Sequence, residues 1–274
     1  MPLPSTALRP LLLLGLLAQG ACTAHAPGAP APAPPSTPTD PGPGTFIRQD
    51  GGAPRPAWFL CDATNAPWVL VVERDATADQ ARLTWVNKAG GPARSEELGL
   101  GRADPGAGQV YYALSRDGRE VGAVHAINPG MLAEPERAWV APFTSVRIDS
   151  LDLQCRWLPG MRVLGVDERR SVLVTQDATG QLTYESFDFQ RPTPPVDVVG
   201  AGSTNTPSQR VSSGTEEKTA GATTFTFRNG EYSDVVHVSA DASLEVQHQG
   251  QSVQRTGLRA WTLALPESAG AHDK

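Results

Sequence analysis

The sequence predicts an all-β protein: antiparallel hairpins and meanders forming a sandwich or barrel-like body, with a small C-terminal β unit. Three observations predict it. The apolar runs are short and rich in β-branched and aromatic residues, as in Trp68–Glu73 (WVLVVE) and Arg82–Asn87 (RLTWVN), which is the composition of strands. Turn dipeptides stand between such runs, and Asp117-Gly118 and Asn229-Gly230 supply the positive φ that a two-residue hairpin requires. No window carries a sustained 3.6-residue apolar stripe, so helix is confined to a turn or two, such as Thr77–Ala81.

In chain order the first element is a leader. Leu11–Ala18 (LLLLGLLA) is a short apolar run preceded by Arg9. It matches the hydrophobic region of a signal peptide and is too short to span a bilayer, which takes about 20 apolar residues. Residues 1–21 are therefore set apart from fold reasoning. The run leads into Gln19-Gly20-Ala21-Cys22, which resembles the small-residue box of a bacterial lipoprotein precursor. It departs at Gln19, where that family usually carries Leu. The resemblance implies a diacylglycerol on the Cys22 sulfur and cleavage in front of it. With Thr23 in place of Asp after the cysteine, it also implies an outer-membrane destination facing the periplasm. Ala24-His25-Ala26 offers the rival reading of ordinary cleavage after Ala26 and a soluble, secreted chain.

Residues 22–45 carry the lipid-bearing cysteine and then a Pro/Ala-rich tract (PGAPAPAPPSTPTDPGPG, Pro27–Gly44) that cannot pack a core. At about 3.1 Å per residue such a spacer holds the body roughly 50 Å from a membrane. Residues 46–190 form the expected main β domain. Val110–Ser115 and Glu120–Ile127 pair across Asp117-Gly118. Arg162–Val166, Ser171–Thr175 and Leu182–Phe187 form a meander, with Gly180 in its second turn. Gly99–Gly108 (GLGRADPGAG) reads as a flexible inter-strand loop. Residues 191–222 are poor in apolar residues and rich in Pro, Gly, Ser and Thr, a linker or mobile loop. Residues 223–266 resume β: Thr224–Phe227, Glu231–Ser239, Leu244–His248, Ser252–Gln254 and Leu258–Leu265. A unit that small is marginal alone, so it must dock on the main domain or dimerise. Residues 267–274 are a tail.

The three cysteines fit export. With Cys22 acylated, Cys61 and Cys155 remain as an even pair, and an oxidising compartment joins them. The bridge closes a loop of more than ninety residues, for which chain entropy gives about 4–5 kcal/mol. The alternative is two unrelated buried thiols acting as small hydrophobes. Trp58 and Trp157 stand near the two cysteines, and a bridge is expected to bring both into one apolar cluster.

The 274-residue chain has a net charge of −6 and no basic patch, which argues against a nucleic-acid partner. No cysteine–histidine spacing suggests zinc, no G-x-S-x-G elbow is present, and Gly99-Leu-Gly101 lacks the third glycine of a dinucleotide fingerprint. No cofactor, catalytic residue or metal ligand is expected. His125, His237 and His248 are the histidines of the folded part; alternation turns His237 to solvent if Val236 and Val238 face the core. Glu96-Glu97, Glu134 with Glu136, and Asp149 with Asp152 read as solvated turn acids.

The functional expectation is a non-enzymatic envelope lipoprotein, tethered to the membrane by its lipid and binding an envelope protein or polymer. Phe59-Leu60-Cys61 followed by Val69-Leu70-Val71-Val72 resembles the opening of a membrane-bound lysozyme inhibitor, a family whose domains begin with a cysteine-ended strand. The resemblance implies an inhibitor or immunity type of activity. The alternatives are an envelope hydrolase with a loop-built site and a structural envelope component.

Overall fold

Two kinds of strand are written in this chain, and they take different places. Some alternate apolar and polar residues, as in Val110-Tyr111-Tyr112-Ala113-Leu114, and bury one face. Others are apolar on both faces, as in Val69-Leu70-Val71-Val72 and Val172-Leu173-Val174, and are buried throughout. Continuous apolar runs belong to strands covered on both sides. The computed structural model describes residues 44–49, 51–75, 79–189, 206–219, 222–239 and 241–264.

The strands in chain order are β1 (Thr45–Ile47), β2 (Arg55–Ala57), β3 (Phe59–Asp62), β4 (Trp68–Arg74), β5 (Gln80–Asn87), β6 (Arg94–Gly106), β7 (Gln109–Arg116), β8 (Arg119–Ile127), β9 (Phe143–Ile148) and β10 (Leu151–Gln154), followed by β11 (Met161–Val166), β12 (Arg170–Gln176), β13 (Leu182–Asp188), β14 (Gln209–Thr219), β15 (Ala222–Asn229), β16 (Tyr232–Val238), β17 (Ser243–His248), β18 (Gln251–Gly257) and β19 (Ala260–Leu263). Two 3-10 turns, Pro129–Met131 and Pro135–Arg137, are the helical elements among the described residues. All pairings are antiparallel, so the expected all-β class is the observed one.

Strands β3 to β10 form an eight-stranded up-and-down meander. It comes round on itself: Ala63 bridges Cys155, the Thr64 amide donates to the Gln154 carbonyl (2.8 Å), and the Arg156 amide donates to the Asp62 carbonyl (2.9 Å). The Cys61–Cys155 disulfide crosses this seam, with Cα atoms 4.7 Å apart. The barrel interior is filled by Trp85, Leu70, Leu83, Leu98, Leu114 and their neighbours, as expected where eight strands leave room for side chains and little else. Each such side chain contributes roughly 1.5–3 kcal/mol by leaving water.

The other eleven strands make one sheet in the order β18-β17-β16-β15-β14-β13-β12-β11-β19-β1-β2, a half-barrel around a second core that includes Tyr184, Phe227, Val236 and Trp261. The barrel and the half-barrel pack through outward faces. Leu60, Val69 and Val71 of the barrel meet Leu164, Val166, Leu173 and Phe187 of the half-barrel. This contact is why β4, β11 and β12 carry apolar residues on both faces.

Several sequence expectations are corrected here. Gly99–Gly108 is not a flexible loop: β6 runs to Gly106, and Gly108 makes the tight turn with φ of +82°. Gly99 leaves room for the Ser115 hydroxyl across the β6–β7 pair, and a Cβ there would make that hydroxyl turn aside. Residues 209–219, inside the expected linker 191–222, form β14. Its first half pairs with β13 and its second with β15; Ser213, with φ of 67°, bulges out of the β13 pairing, and the change of partner falls between Gly214 and Thr215. The five strands of 223–266 are β15 to β19, and they are hydrogen-bonded into the larger sheet, with β19 inserted between β11 and β1. Gln80 and Ala81, expected as part of a helical turn, open β5; residues 76–78 lie outside the described residues. Trp58 lies in the barrel core while Trp157 packs between the two sheets, so the disulfide does not gather them into one cluster.

Candidate functional site

The barrel interior is filled by its own side chains, so among the described residues of the barrel the accessible groups lie on its outer faces and rims. Phe59 stacks on Phe143 at 4.1 Å, and Trp58 meets Tyr112 and Phe143 edge-on at 4.8 and 4.9 Å. Trp58, Trp85 and Trp261 fill cores, as tryptophans do in most β proteins, and Trp68 and Trp157 pack at their edges.

The seam holds a buried ion cluster. Asp62 follows Cys61 and Arg156 follows Cys155, so the disulfide sets the acid and the guanidinium side by side. Asp62 is fully buried. One of its oxygens lies 2.6 Å from Lys88 Nζ, and the other accepts from Arg156 Nε at 2.7 Å. Burial alone would raise the Asp62 carboxyl; Lys88 and Arg156 outweigh it and hold the group below its ordinary value. The Arg156 guanidinium lies 3.5 Å from the centre of the Phe187 ring, and Lys88 Nζ lies 5.7 Å from that of Phe189. The two cations thus join a barrel carboxylate to half-barrel aromatics.

One exposed face with binding character is that of β7 and β8. Tyr111 and His125 are cross-strand partners on the outside of the barrel, stacked with centroids 4.8 Å apart, and Tyr111 is 42% exposed. Such pairs across a ladder support each other. His125 Nδ1 lies 2.9 Å from the Thr144 hydroxyl, while Nε2 is buried and has no hydrogen-bond partner. Burial lowers the affinity of the ring for a proton, so at neutral pH it is an uncharged imidazole. At the same end of the barrel the Asn128 amide donates to the Gly108 carbonyl (2.9 Å) and the Asn128 carboxamide oxygen accepts from the Gly130 amide (3.1 Å). This turn presents Met131, 67% exposed, over Gly108. An aromatic, an imidazole and a thioether on one rim can bury apolar area against a partner, with no group placed for bond-making.

Two further polar groupings lie on the half-barrel. On its outer face Thr224 Oγ1, His237 and Glu245 form a line across β15, β16 and β17, with Thr224 Oγ1 to His237 Nδ1 at 3.4 Å and His237 Nε2 to Glu245 Oε2 at 2.8 Å. The order is that of a hydroxyl–imidazole–carboxylate relay. The backbone amides around it are paired in the ladder, and acyl transfer needs donors aimed at a developing oxyanion. His237 is part-exposed, in agreement with the alternation reading. On the inner face the Gln209 carboxamide donates to buried Asp234 at 2.6 Å, and burial raises the Asp234 carboxyl while Gln209 and Arg170 oppose the rise. The Tyr184 hydroxyl, fully buried, has Ser186 beside it and no well-formed hydrogen bond. Burial pushes it far above the ordinary phenol range.

Of the residues expected from sequence, Cys22 lies outside the described residues, and Cys61 and Cys155 form the disulfide. Four acids of the expected pairs lie in ion pairs: Glu96 and Asp149 on either side of Arg116, Glu97 with Arg82, and Glu134 with Arg137. Among the described residues no group of three or more histidines, cysteines or acids is placed to hold a metal ion, and no helix is long and apolar enough to cross a membrane. The ion cluster was not foreseen. The only sequence signal was Cys61-Asp62 matched by Cys155-Arg156, opposite charges directly after two cysteines. No family model matches the chain, and no curated protein is significantly similar to it.

Proposed function

We propose that the protein is an envelope lipoprotein, anchored through Cys22 to the outer membrane on its periplasmic side, whose barrel acts as a non-enzymatic binding module of the inhibitor or immunity type. The observation that carries the reading is a disulfide-bridged, side-chain-filled barrel that exposes Tyr111 and Met131 on one rim beside His125. A rigid sealed barrel loses little entropy on binding, and a net charge of −6 favours a basic partner. The resemblance of the Phe59–Cys61 opening to lysozyme inhibitors makes a peptidoglycan-cleaving glycosidase the partner class to test first.

The test uses the exported chain with Cys22→Ser, which should leave the membrane fraction and remain soluble. That protein is titrated into lysozyme clearing a peptidoglycan suspension and is separately used to capture partners from an envelope extract. Inhibition or capture that weakens in Tyr111→Ala and Met131→Ala supports the reading; neither inhibition nor a captured partner at micromolar protein removes it. A hydrolase is the second reading, favoured by the Thr224–His237–Glu245 line. It requires turnover of an ester or peptidoglycan substrate that disappears in both Thr224→Ala and His237→Gln.

A further inference from the structure

We infer that the Cys61–Cys155 disulfide and the Asp62 ion cluster together form a redox-controlled latch that clamps the half-barrel against the closed barrel. Among the described residues the chain passes between the two sheets twice, at Trp58 between β2 and β3 and at residues 155–160 between β10 and β11. Both crossings flank the disulfide. Two short connections side by side make a hinge, and hinges are built from a few residues at element ends. Here the hinge is tied shut in three ways. The disulfide joins the two crossing strands. Asp62 and Arg156, each next to a half-cystine, are ion-paired within the seam. Arg156 then sits over the Phe187 ring and Lys88 reaches over Phe189, carrying the clamp from barrel to half-barrel.

The coupling runs from the sulfur to the interface. While the disulfide is intact, Arg156 is presented to Asp62 and Phe187 by a strand that cannot move away. With the bond open, the same contacts rest on the backbone hydrogen bonds of Thr64 and Arg156, the side-chain hydrogen bonds of Thr64 and Asn65 to Asp152 and Gln154, and the single bridge at Ala63. The two half-cystines are unequal: Cys61 is a fully buried residue, while Cys155 is a partly buried one at the edge of the barrel core. A protein dithiol of the envelope is the reductant the latch would answer to. Its thiolate attacks Cys155 Sγ, the S–S bond breaks, and Cys61 leaves as a thiolate that takes up a proton. The second thiol of the reductant then attacks the mixed disulfide, releasing the Cys155 thiol and leaving the reductant as a disulfide. Two electrons pass to the protein, and the products are two cysteine thiols and one oxidised dithiol. The freed hinge lets the apolar face of Leu164, Leu173 and Phe187 part from Leu60, Val69 and Val71.

The experiment is amide hydrogen exchange on the exported chain with Cys22→Ser, oxidised and after reduction with dithiothreitol. Reduction should speed exchange at least tenfold in residues 155–166 and 182–189 while β6 and β7, on the far part of the barrel, keep their protection. Arg156→Met with the disulfide intact should loosen residues 161–166 and 182–189 in the same way and leave the β3–β10 seam protected. Three results overturn the latch. The first is unchanged exchange on reduction. The second is loss of protection everywhere at once, which makes the disulfide a general staple. The third is an unaltered interface in Arg156→Met.

Discussion

Asp62→Asn is the substitution on which the seam's energetics turn. The carboxylate is fully buried between Lys88 and Arg156, whose side chains are 12% and 8% exposed. A pair of unit charges about 4 Å apart attracts by roughly 4 kcal/mol at an effective dielectric of about 20, so two cations give a gross attraction near 8 kcal/mol. Removing three charged groups from water offsets most of it. The amide keeps the shape and loses the charge, leaving both cations buried without an anion. Breaking a buried pair on one side costs about 3–5 kcal/mol, and we expect that loss here. In urea, with a slope of about 2–3 kcal/mol per molar, the midpoint should fall by roughly 1–2.5 M, followed through the fluorescence of the six tryptophans. The pH dependence has a definite sign. The folded-state carboxyl lies below its ordinary value, so its stabilisation is present above the unfolded value, about 3.9, and is lost as pH falls through the folded one. The gap between wild type and Asp62→Asn should therefore close in acid. Replacing the whole cluster (Asp62→Leu with Lys88→Met and Arg156→Met) should recover much of the loss, because the desolvation cost goes with the charges. A loss below about 1 kcal/mol for the single change, or a gap that widens in acid, would refute this account of a charge cluster held by mutual compensation.

Asp234 carries the opposite sign: burial raises its folded-state carboxyl, so stability is whole below the unfolded value and declines as pH rises through the folded one. Asp234→Asn, which can still accept from Gln209, should be more stable than wild type at pH 7 and no more stable at pH 3 by urea midpoints. Tyr184→Phe should leave stability within about 0.5 kcal/mol or raise it, since the buried hydroxyl has no well-formed bond to lose; a loss above about 1 kcal/mol would show that it is hydrogen-bonded in solution. Gly214→Ala should cost about 1–3 kcal/mol, because its Cβ would strike the fully buried Phe227 ring. The melting temperature should fall by about 2–12 °C, with partial recovery when Phe227→Leu is added.

What was legible in this chain was local. The hairpins near Asp117-Gly118 and Asn229-Gly230 were readable because positive φ restricts the residues that can stand there, and both glycines take it, at 75° and 63°, although the second turn falls at Gly230-Glu231, with Asn229 paired to Tyr232. Strands β4, β5, β7, β8, β11, β12 and β13 were readable from their apolar runs. Two of the strands that escaped reading, β14 and β6, lacked such a run, while β9 (FTSVRI) had one and was passed over. β14 spells QRVSSGTEEKT, mostly exposed and almost without apolar residues, and is held by ladder bonds to β13 and β15. β6 carries glycines at Gly99 and Gly101 that look like a loop and instead let Ser115 and Ala113 of β7 come close. Pairing of that kind is decided by the neighbour and leaves little trace in the strand itself. The same limit governs the candidate site. Cys61 and Cys155 could be paired by arithmetic, but Tyr111 meets His125 only through a register, and Met131 joins them only through a turn. Long-range order follows no local code: β19 enters between β11 and β1, far from both in sequence. Yet one long-range feature did leave a local mark. A strand buried on both faces must be apolar at every position, and Val69–Val72 and Val172–Val174 are. Had those runs been read as strands with two cores, one on each side, the packing of one sheet's back against another would have followed from the sequence, and with it the place where the two crossings, the disulfide and the ion cluster had to meet.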